Sequence, residues 1–305
     1  MSTGETGKTA AGTKHAFAPL KGNSGAALPG AAPSEKYLQY LRQRRLGRWG
    51  VRLSQLLLLA VFLIAWEVAA RSHFVNPMLT SYPSAIWPTF LDLLKSADLN
   101  QQGNIVLHTR VTLMEVGFSF AASMVLGLLV GAALWWSSYL YRVLDPYLVV
   151  ANAMPKIALV PIFYIWLGDS LSIYGIAIAV AGFITTLMIY SGFRETDSEK
   201  AKLMQALGAR KWQIFSKLVL PANLPVIIAA LKANIGLVLV GVIVGEFQSA
   251  RAGLGYLIIY GSQIFQMNLV MTAIAILAII STIMYGMVYY LEFAIAQRRR
   301  QGTGK

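Results

Sequence analysis

Six stretches of the chain run apolar for close to twenty residues or longer: 53–70, 111–136, 147–167, 171–193, 224–246 and 268–296. An α-helix needs about 20 such residues to cross the hydrocarbon core of a bilayer. In hydrocarbon every backbone N–H and C=O must find its partner within the chain, so each stretch is expected to fold as a helix. A soluble alternative fails on composition. Of 305 residues 56% are hydrophobic and only 13% charged, against roughly 25% charged in ordinary soluble domains. The expected fold is an all-α integral membrane protein with about six transmembrane helices, and its solvent is the lipid bilayer.

The third stretch is the weakest because it holds Pro155, Lys156 and Pro161. Prolines are tolerated in spans where neighbouring helices satisfy the freed carbonyls. The second and fourth are rich in small residues. Gly127 and Gly131 stand four apart, a spacing that lets helices approach closely. The first stretch is expected to be a span rather than a signal peptide. It begins about fifty residues in, exceeds the ~7–15-residue core of a signal and carries Glu67 near its end. Residues 1–35 are dominated by Gly, Ala, Ser, Thr and Pro and are expected to be a disordered tail. A basic juxtamembrane segment (36–52), a membrane domain (53–296) and a basic tail (297–305) complete the division.

Charge gives the orientation. With the N-terminus inside, 20 of the 26 Lys and Arg fall on the cytoplasmic side and four outside; Lys156 and Lys232 lie within the stretches. That bias places both termini in the cytoplasm. It also accounts for the net charge of +13 without nucleic acid. The basic run 42–52, with Trp49, belongs at the anionic cytoplasmic surface. Trp135, Trp136, Trp166, Tyr289 and Tyr290 fit interfacial aromatic belts.

Residues 194–225 are too polar to span. Asp197 or Ser198 can cap a helix, and Glu199 then sits near the positive end of its dipole. Leu203, Met204 and Leu207 follow at helical spacing as one apolar face. Gly208 can end that helix in the left-handed conformation. A second short helix carries Trp212, Phe215 and the leucines 218 and 220, and Pro221 is expected to stop it. Two short helices meeting at a glycine, apolar within a basic frame, make a docking knob for a soluble partner.

The run Ala-Leu-Gly-Ala-Arg-Lys-Trp-Gln-Ile-Phe (206–215), followed by Leu-Pro-Ala-Asn-Leu-Pro (220–225), resembles the cytoplasmic signature of ABC-importer permeases. The family's glycine matches Gly208 and its later proline matches Pro221. Its Glu-Ala-Ala triad does not match: Lys202, Leu203 and Met204 stand there, and Glu199 lies three residues earlier. Asn-Ala-Met-Pro-Lys-Ile-Ala-Leu-Val-Pro (152–161) with Ile-Trp-Leu-Gly (165–168) is similar to the third span of the nitrate/sulfonate/taurine branch. So are Gly-Glu-Phe (245–247) with Gly-Leu-Gly-Tyr-Leu-Ile (253–258), Trp66-Glu67, and Tyr82-Pro83-Ser84. The likeness covers roughly 55–292.

The resemblance implies a type I ABC-importer-like permease fold in a bacterial inner membrane, with a coupling segment at 197–221. It implies a homodimer with a second copy of itself, two cytoplasmic ATP-binding subunits that hold ATP and Mg, and an extracytoplasmic substrate-binding protein. The segment that docks the ATPase would comprise Glu199, Leu203, Met204, Leu207, Gly208, Ala209, Arg210, Trp212, Phe215 and Pro221. Candidate pathway or gate residues are Asn152, Lys156, Asn234, Glu246, Gly253 and Gly255. Four of them have a plainer reading: Lys156 as a donor to carbonyls freed by Pro155, Asn152 and Asn234 as interhelical glue, and Glu246 as an interfacial carboxylate. Lys232 sits where its side chain can snorkel to the interface. Small anions or polar organic solutes are the implied substrates: nitrate, taurine, other sulfonates or a vitamin precursor.

Two competitors are weaker. A membrane enzyme needs a paired-acid or nucleophile–base set, and an outer cluster of Glu67, Glu115 and Glu246 is the one arrangement to point at. There is no Cys, the three His (His15, His73, His108) show no ligand spacing, and no phosphate-cradling glycine loop is present. This chain is therefore expected to bind no cofactor or metal itself. A gradient-driven secondary transporter often shows an internal repeat with matched broken helices, and only the third stretch looks broken.

Overall fold

The computed structural model of the protein describes residues 35–72, 74, 76–95 and 104–302. The tail expected over 1–35 lies, apart from Glu35, outside them, as do residues 303–305. Among the described residues the chain is helical without strands. The order is α1 Glu35–Arg71, α2 Pro77–Thr80, α3 Pro83–Lys95, α4 Ile105–Trp136, α5 Ser138–Ala153 and α6 Val160–Arg194. Then follow α7 Ser198–Ala206, α8 Lys211–Ile214, α9 Leu220–Ala222, α10 Leu224–Ser249, α11 Leu254–Gln263 and α12 Met267–Gly302. Among the described residues five segments are long and apolar enough to cross a membrane: Gly50–Arg71, Ile105–Trp136, Lys156–Arg194, Leu224–Ser249 and Met267–Ile295. Residues up to Ala60 form one unit and Val61–Lys305 another; the second holds the packed cores described below.

The third apolar stretch, expected as one span, is not one helix. Its first part lies in α5, which ends at Ala153. Met154 is extended (φ −64°, ψ 137°), because the ring of Pro155 disfavours helical backbone in the residue before it. A short 3₁₀ turn, Lys156–Leu159, resumes the helix and runs into α6, whose two halves meet at a kink at Gly168 (φ 74°, ψ −176°). That kink falls in the gap between the third and fourth stretches. At the other boundary Ser137 does two jobs. It ends α4 in extended conformation and its hydroxyl accepts the Leu140 N–H at 3.2 Å to start α5.

α4, α6 and α10 pack together around Val116, Ile173, Ala177, Ala181, Val238 and Val242. Between spans there is no water to expel, so close packing and hydrogen bonds hold helices together. Gly127 and Gly131 of α4 lie against Thr185 and Ile189 of α6, as their spacing predicts. A second pair at the same spacing, Gly241 and Gly245 of α10, rests on the backbone of Ala177 and Ile173. A polar bridge crosses the same bundle. Ser123 Oγ donates to Asn234 Oδ1 (3.0 Å), Asn234 Nδ2 donates to Thr185 Oγ1 (2.6 Å), and Thr185 donates to the Ala181 carbonyl (2.8 Å). α11 and α12 bury Leu254, Leu257, Leu269, Ala273 and Ile280. The end of α1 is tied to α3: Glu67 accepts from the Ser84 hydroxyl (2.6 Å), the Ser84 N–H (3.0 Å) and Arg71 (2.5 Å).

Candidate functional site: the α7–α8 knob and the α10–α11 turn

α7 begins where expected. Asp197 Oδ1 accepts the N–H groups of Glu199 (2.9 Å) and Lys200 (3.3 Å), and its Oδ2 pairs with Lys200 at 3.2 Å. The Lys200 hydrogen bonds and the Glu199 N–H hold the Asp197 carboxyl below its usual pKa. α7 ends at a left-handed glycine, Gly208 at φ 82°. The Gly208 N–H reaches the Gln205 carbonyl and the Ala209 N–H reaches Met204, both at 2.9 Å, the paired bonds of a Schellman cap. The Arg210 N–H then donates to Gln213 Oε1 (2.7 Å) at the start of α8.

The proposed docking residues divide into two sets. Leu203 (61% exposed), Leu207 (79%) and Trp212 (63%) project outward. Glu199 lies one turn before Leu203, on the same side of α7, and Gly208 and Arg210 are exposed. Phe215 instead is buried with Phe193, Ile214 and Val219, and Met204 and Ala209 pack against that cluster. The single apolar face read for Leu203, Met204 and Leu207 is therefore split, with Met204 turned inward as the root of the knob. Pro221 does not stop the second helix. The backbone widens into a π-helical turn over Phe215–Val219, the Leu220 N–H bonding the Phe215 carbonyl, and stays helical through Ala222. Pro221 falls at the start of the next turn, where no N–H is required, and the break comes at Asn223. Asn223 clamps the base of the excursion: its Nδ2 donates to Thr196 Oγ1 (2.7 Å) and to the Val219 carbonyl (2.8 Å). Nothing local in the Leu-Pro-Ala-Asn-Leu-Pro run marks Asn223 as that clamp, since Thr196 lies 27 positions away. Lys211 lies over the rings of Trp135 and Trp136 (5.8 and 5.5 Å) and its Nζ bonds the Trp136 carbonyl, joining α8 to the end of α4.

The pathway candidates do not form one cluster. Asn234 is fully buried within the three-helix bridge and serves as glue. Asn152 is exposed, and its carbonyl accepts from Lys156 Nζ at 3.1 Å beside the Pro155 break. The Lys156 ammonium stands 5.8 Å from the Phe183 ring. Lys232, read as snorkelling, is paired: Nζ meets Glu292 Oε2 of α12 at 2.6 Å and faces the rings of Tyr285 and Tyr289.

Glu246, Gly253 and Gly255 do come together, at the end of the bundle opposite α7–α8. Glu246 is 1% exposed and accepts from Thr112 Oγ1 (2.6 Å) and the Gly255 N–H. Leu254 N–H donates to Thr112 Oγ1 (2.8 Å) and Gly253 N–H to His108 Nδ1 (2.9 Å). The first N–H groups of α11, unsatisfied in any helix, thus find partners on α4 and α10. Gly253 has φ 124°, and a Cβ on it or on Gly255 would run into the Glu246 carboxylate. Glu115, buried, lies against Glu246. Of the three carboxylates of the enzyme reading, two meet, but Glu67 bonds Ser84 and Arg71 elsewhere. Thr112 and His108 carried no signal in sequence, since nothing links them to residues some 140 positions away.

Residues 123–297 match the family described as binding-protein-dependent transport system inner membrane component. The chain is 31% identical over 205 residues to the formylaminopyrimidine transport permease protein ThiX of Halalkalibacterium halodurans, covering 67% of this chain and 79% of the relative. It is 24% identical over 246 residues to the taurine transport system permease protein of Escherichia coli K12, covering 80% and 86%. Its fold is similar to a chain of the inward-facing MetNI methionine ABC transporter, with TM-score 0.54 and 19% identity over 68% of this chain and 98% of the other. The chain belongs to the family of binding-protein-dependent inner membrane transport components: it is an ABC-importer permease, a multi-pass transport subunit and not an enzyme.

Proposed function

We propose that this permease carries a small anionic or polar organic solute, sulfonate-like or a vitamin precursor, by alternating access driven through α7–α8 by a separate ATPase. ThiX and the taurine permease span that range of solutes by name. Two copies of the chain form the pathway, with both termini cytoplasmic, and an extracytoplasmic binding protein delivers the solute. ATP and Mg belong to two ATP-binding subunits seated on the knob. No covalent chemistry falls to this chain. A solute shifts the balance between outward- and inward-open states only by binding one better than the other. Glu246, Gly253 and Gly255 hold the turn that closes the outer end.

The observation that carries the coupling role is the knob: Leu203, Leu207 and Trp212 exposed around a left-handed Gly208, on a root of Met204 and Phe215 packed into the bundle. Water-exposed apolar residues on a rigidly rooted turn fit the groove of a soluble partner. Glu199, on the outward side with Leu203, supplies the acidic contact that the triad position, occupied by Lys202, does not. The chain has no native cysteine, so single cysteines are unambiguous probes. Leu207→Cys and Trp212→Cys should crosslink to the ATP-binding subunit in membranes, and Phe215→Cys should not. Crosslinking at none of the exposed positions would contradict the docking role.

A further inference from the structure

Beside the root of the knob lies a cavity of ≈ 370 Å³ whose walls include Trp135, Ser138, Tyr141, Arg142, Tyr190 and Arg194. It sits where α4 gives way to α5, against the last turn of α6. α4 is apolar as far as Trp136, so the cavity stands at the level where hydrocarbon ends and headgroups begin. Trp135, Trp136 and Trp212 mark the same level.

Two guanidinium groups line it, and neither is spent on a carboxylate. Among the described residues no ion pair engages Arg142, Arg194 or the nearby Lys211. Arg194 Nη1 donates to the Tyr141 hydroxyl at 3.4 Å, and its guanidinium faces the Tyr141 ring at 5.4 Å. Tyr141 is stacked on the buried Tyr190 at 4.4 Å. Arg142 Nε reaches the Ser138 carbonyl at 3.4 Å. The Asp145 carboxylate engages the Tyr141 hydroxyl. Arg194 also engages the Tyr190 hydroxyl; each guanidinium carries five donors in a planar fork that suits phosphate, and both line the cavity.

We propose that this cavity binds the phosphate headgroup of an anionic phospholipid of the cytoplasmic leaflet. The assignment rests on the reading that α7–α8 faces the cytoplasm, the side where anionic lipid and basic pockets between spans meet. Free phosphate shares the charge chemistry, but Leu134, Trp135, Tyr141 and Tyr190 in the wall suit a glycerol backbone and the first carbons of an acyl chain. Arg194 ends α6 immediately before the knob, and Lys211 ties α8 to the end of α4. A bound lipid therefore braces the base of the coupling segment.

The test uses the full chain in nanodiscs of mixed phosphatidylglycerol and phosphatidylcholine, with retained lipid counted by native mass spectrometry. Wild type should enrich phosphatidylglycerol. Arg142→Gln with Arg194→Gln should lose roughly thirtyfold of that preference, from about 1 kcal/mol per basic side chain near an anionic surface. The paired Lys variants, which keep charge but not the fork, should retain part of it and show that the site still folds. Lys95→Gln with Arg110→Gln, away from the cavity, should match wild type. Equal enrichment in wild type and the Gln pair would overturn the proposal. So would arginine-dependent binding of millimolar inorganic phosphate in phosphatidylcholine discs without phosphatidylglycerol enrichment. Recovery of the ATP-binding subunit, scored on the same samples, separates the two claims. Leu207→Asp should lose that subunit yet keep the lipid, whereas wild type that keeps the subunit without enriching lipid sinks this inference alone.

Discussion

Glu246 closes its turn through groups that no short-range pattern connects. It accepts from Thr112 and Gly255, while Gly253 leans on His108. Replacing Glu246 with Ala leaves a buried hydroxyl and an N–H to find new partners, at about 1–3 kcal/mol for each group left unsatisfied. Gly253→Ala should cost a similar amount, because it combines a positive φ with a Cβ directed into the carboxylate. Thermal unfolding of the purified variants should show both melting several degrees below wild type. Asp197 offers a pH test. Its pKa is lowered by the N–H groups and the lysine it caps, so the cap is fully present above the ordinary aspartate pKa and is lost only as pH falls through the lowered value. Hydrogen exchange at Glu199 and Lys200 should therefore be protected, after correction for intrinsic rates, at every pH above about 4. Asp197→Ala should abolish that protection, and Asp197→Asn should keep most of it. The cap and Gly208 were legible in sequence because both are local devices. The partners of Glu246 were not, because α4 and α10 are brought together only by the fold.

Helices here are set by the apolar stretches, and their contacts by small residues. Gly241 gives a sharp contrast with Gly236, five positions earlier on the same helix. A Cβ at 241 would meet the Ala177 Cα at 2.5 Å, whereas one at 236 meets nothing within 4 Å. Gly241→Val should push α10 from α6 and destabilise by roughly 1–3 kcal/mol, while Gly236→Ala should be neutral or stabilising by up to about 1 kcal/mol. Chemical unfolding of the two variants side by side checks the pair. The Gly127/Gly131 contact could be read from its four-residue spacing. The fate of the two prolines could not. Pro155 breaks the third stretch because Met154 must be extended, yet Pro221 is absorbed by a π-helical turn five residues long, and nothing in the local sequence distinguishes the two outcomes. Phe215 shows the same limit: its spacing placed it on a helix, but only the neighbouring Phe193 and Val219 decide that it faces inward.

At the scale of the molecule, the apolar stretches, the charge asymmetry and the 206–225 signature all point to one architecture, and the family match agrees with them. The molecule is polarised. One end carries a rooted apolar knob beside a basic, aromatic cavity; the other carries a turn locked by buried hydrogen bonds. Lys232 and Glu292 join α10 to α12, and Lys232→Met should destabilise more than Glu292→Gln in thermal unfolding, since Lys232 without Glu292 still keeps the rings of Tyr285 and Tyr289. The central claim is that the knob transmits the work of a separate ATPase. It is tested most directly by purifying the tagged chain from its native host in mild detergent, as wild type and as Gly208→Trp, and identifying the associated chains by mass spectrometry. The account predicts an ATP-binding subunit with wild type, lost or sharply reduced with the variant while the variant itself stays folded. Wild type recovered without any ATP-binding chain, under conditions that preserve other such complexes, would contradict it.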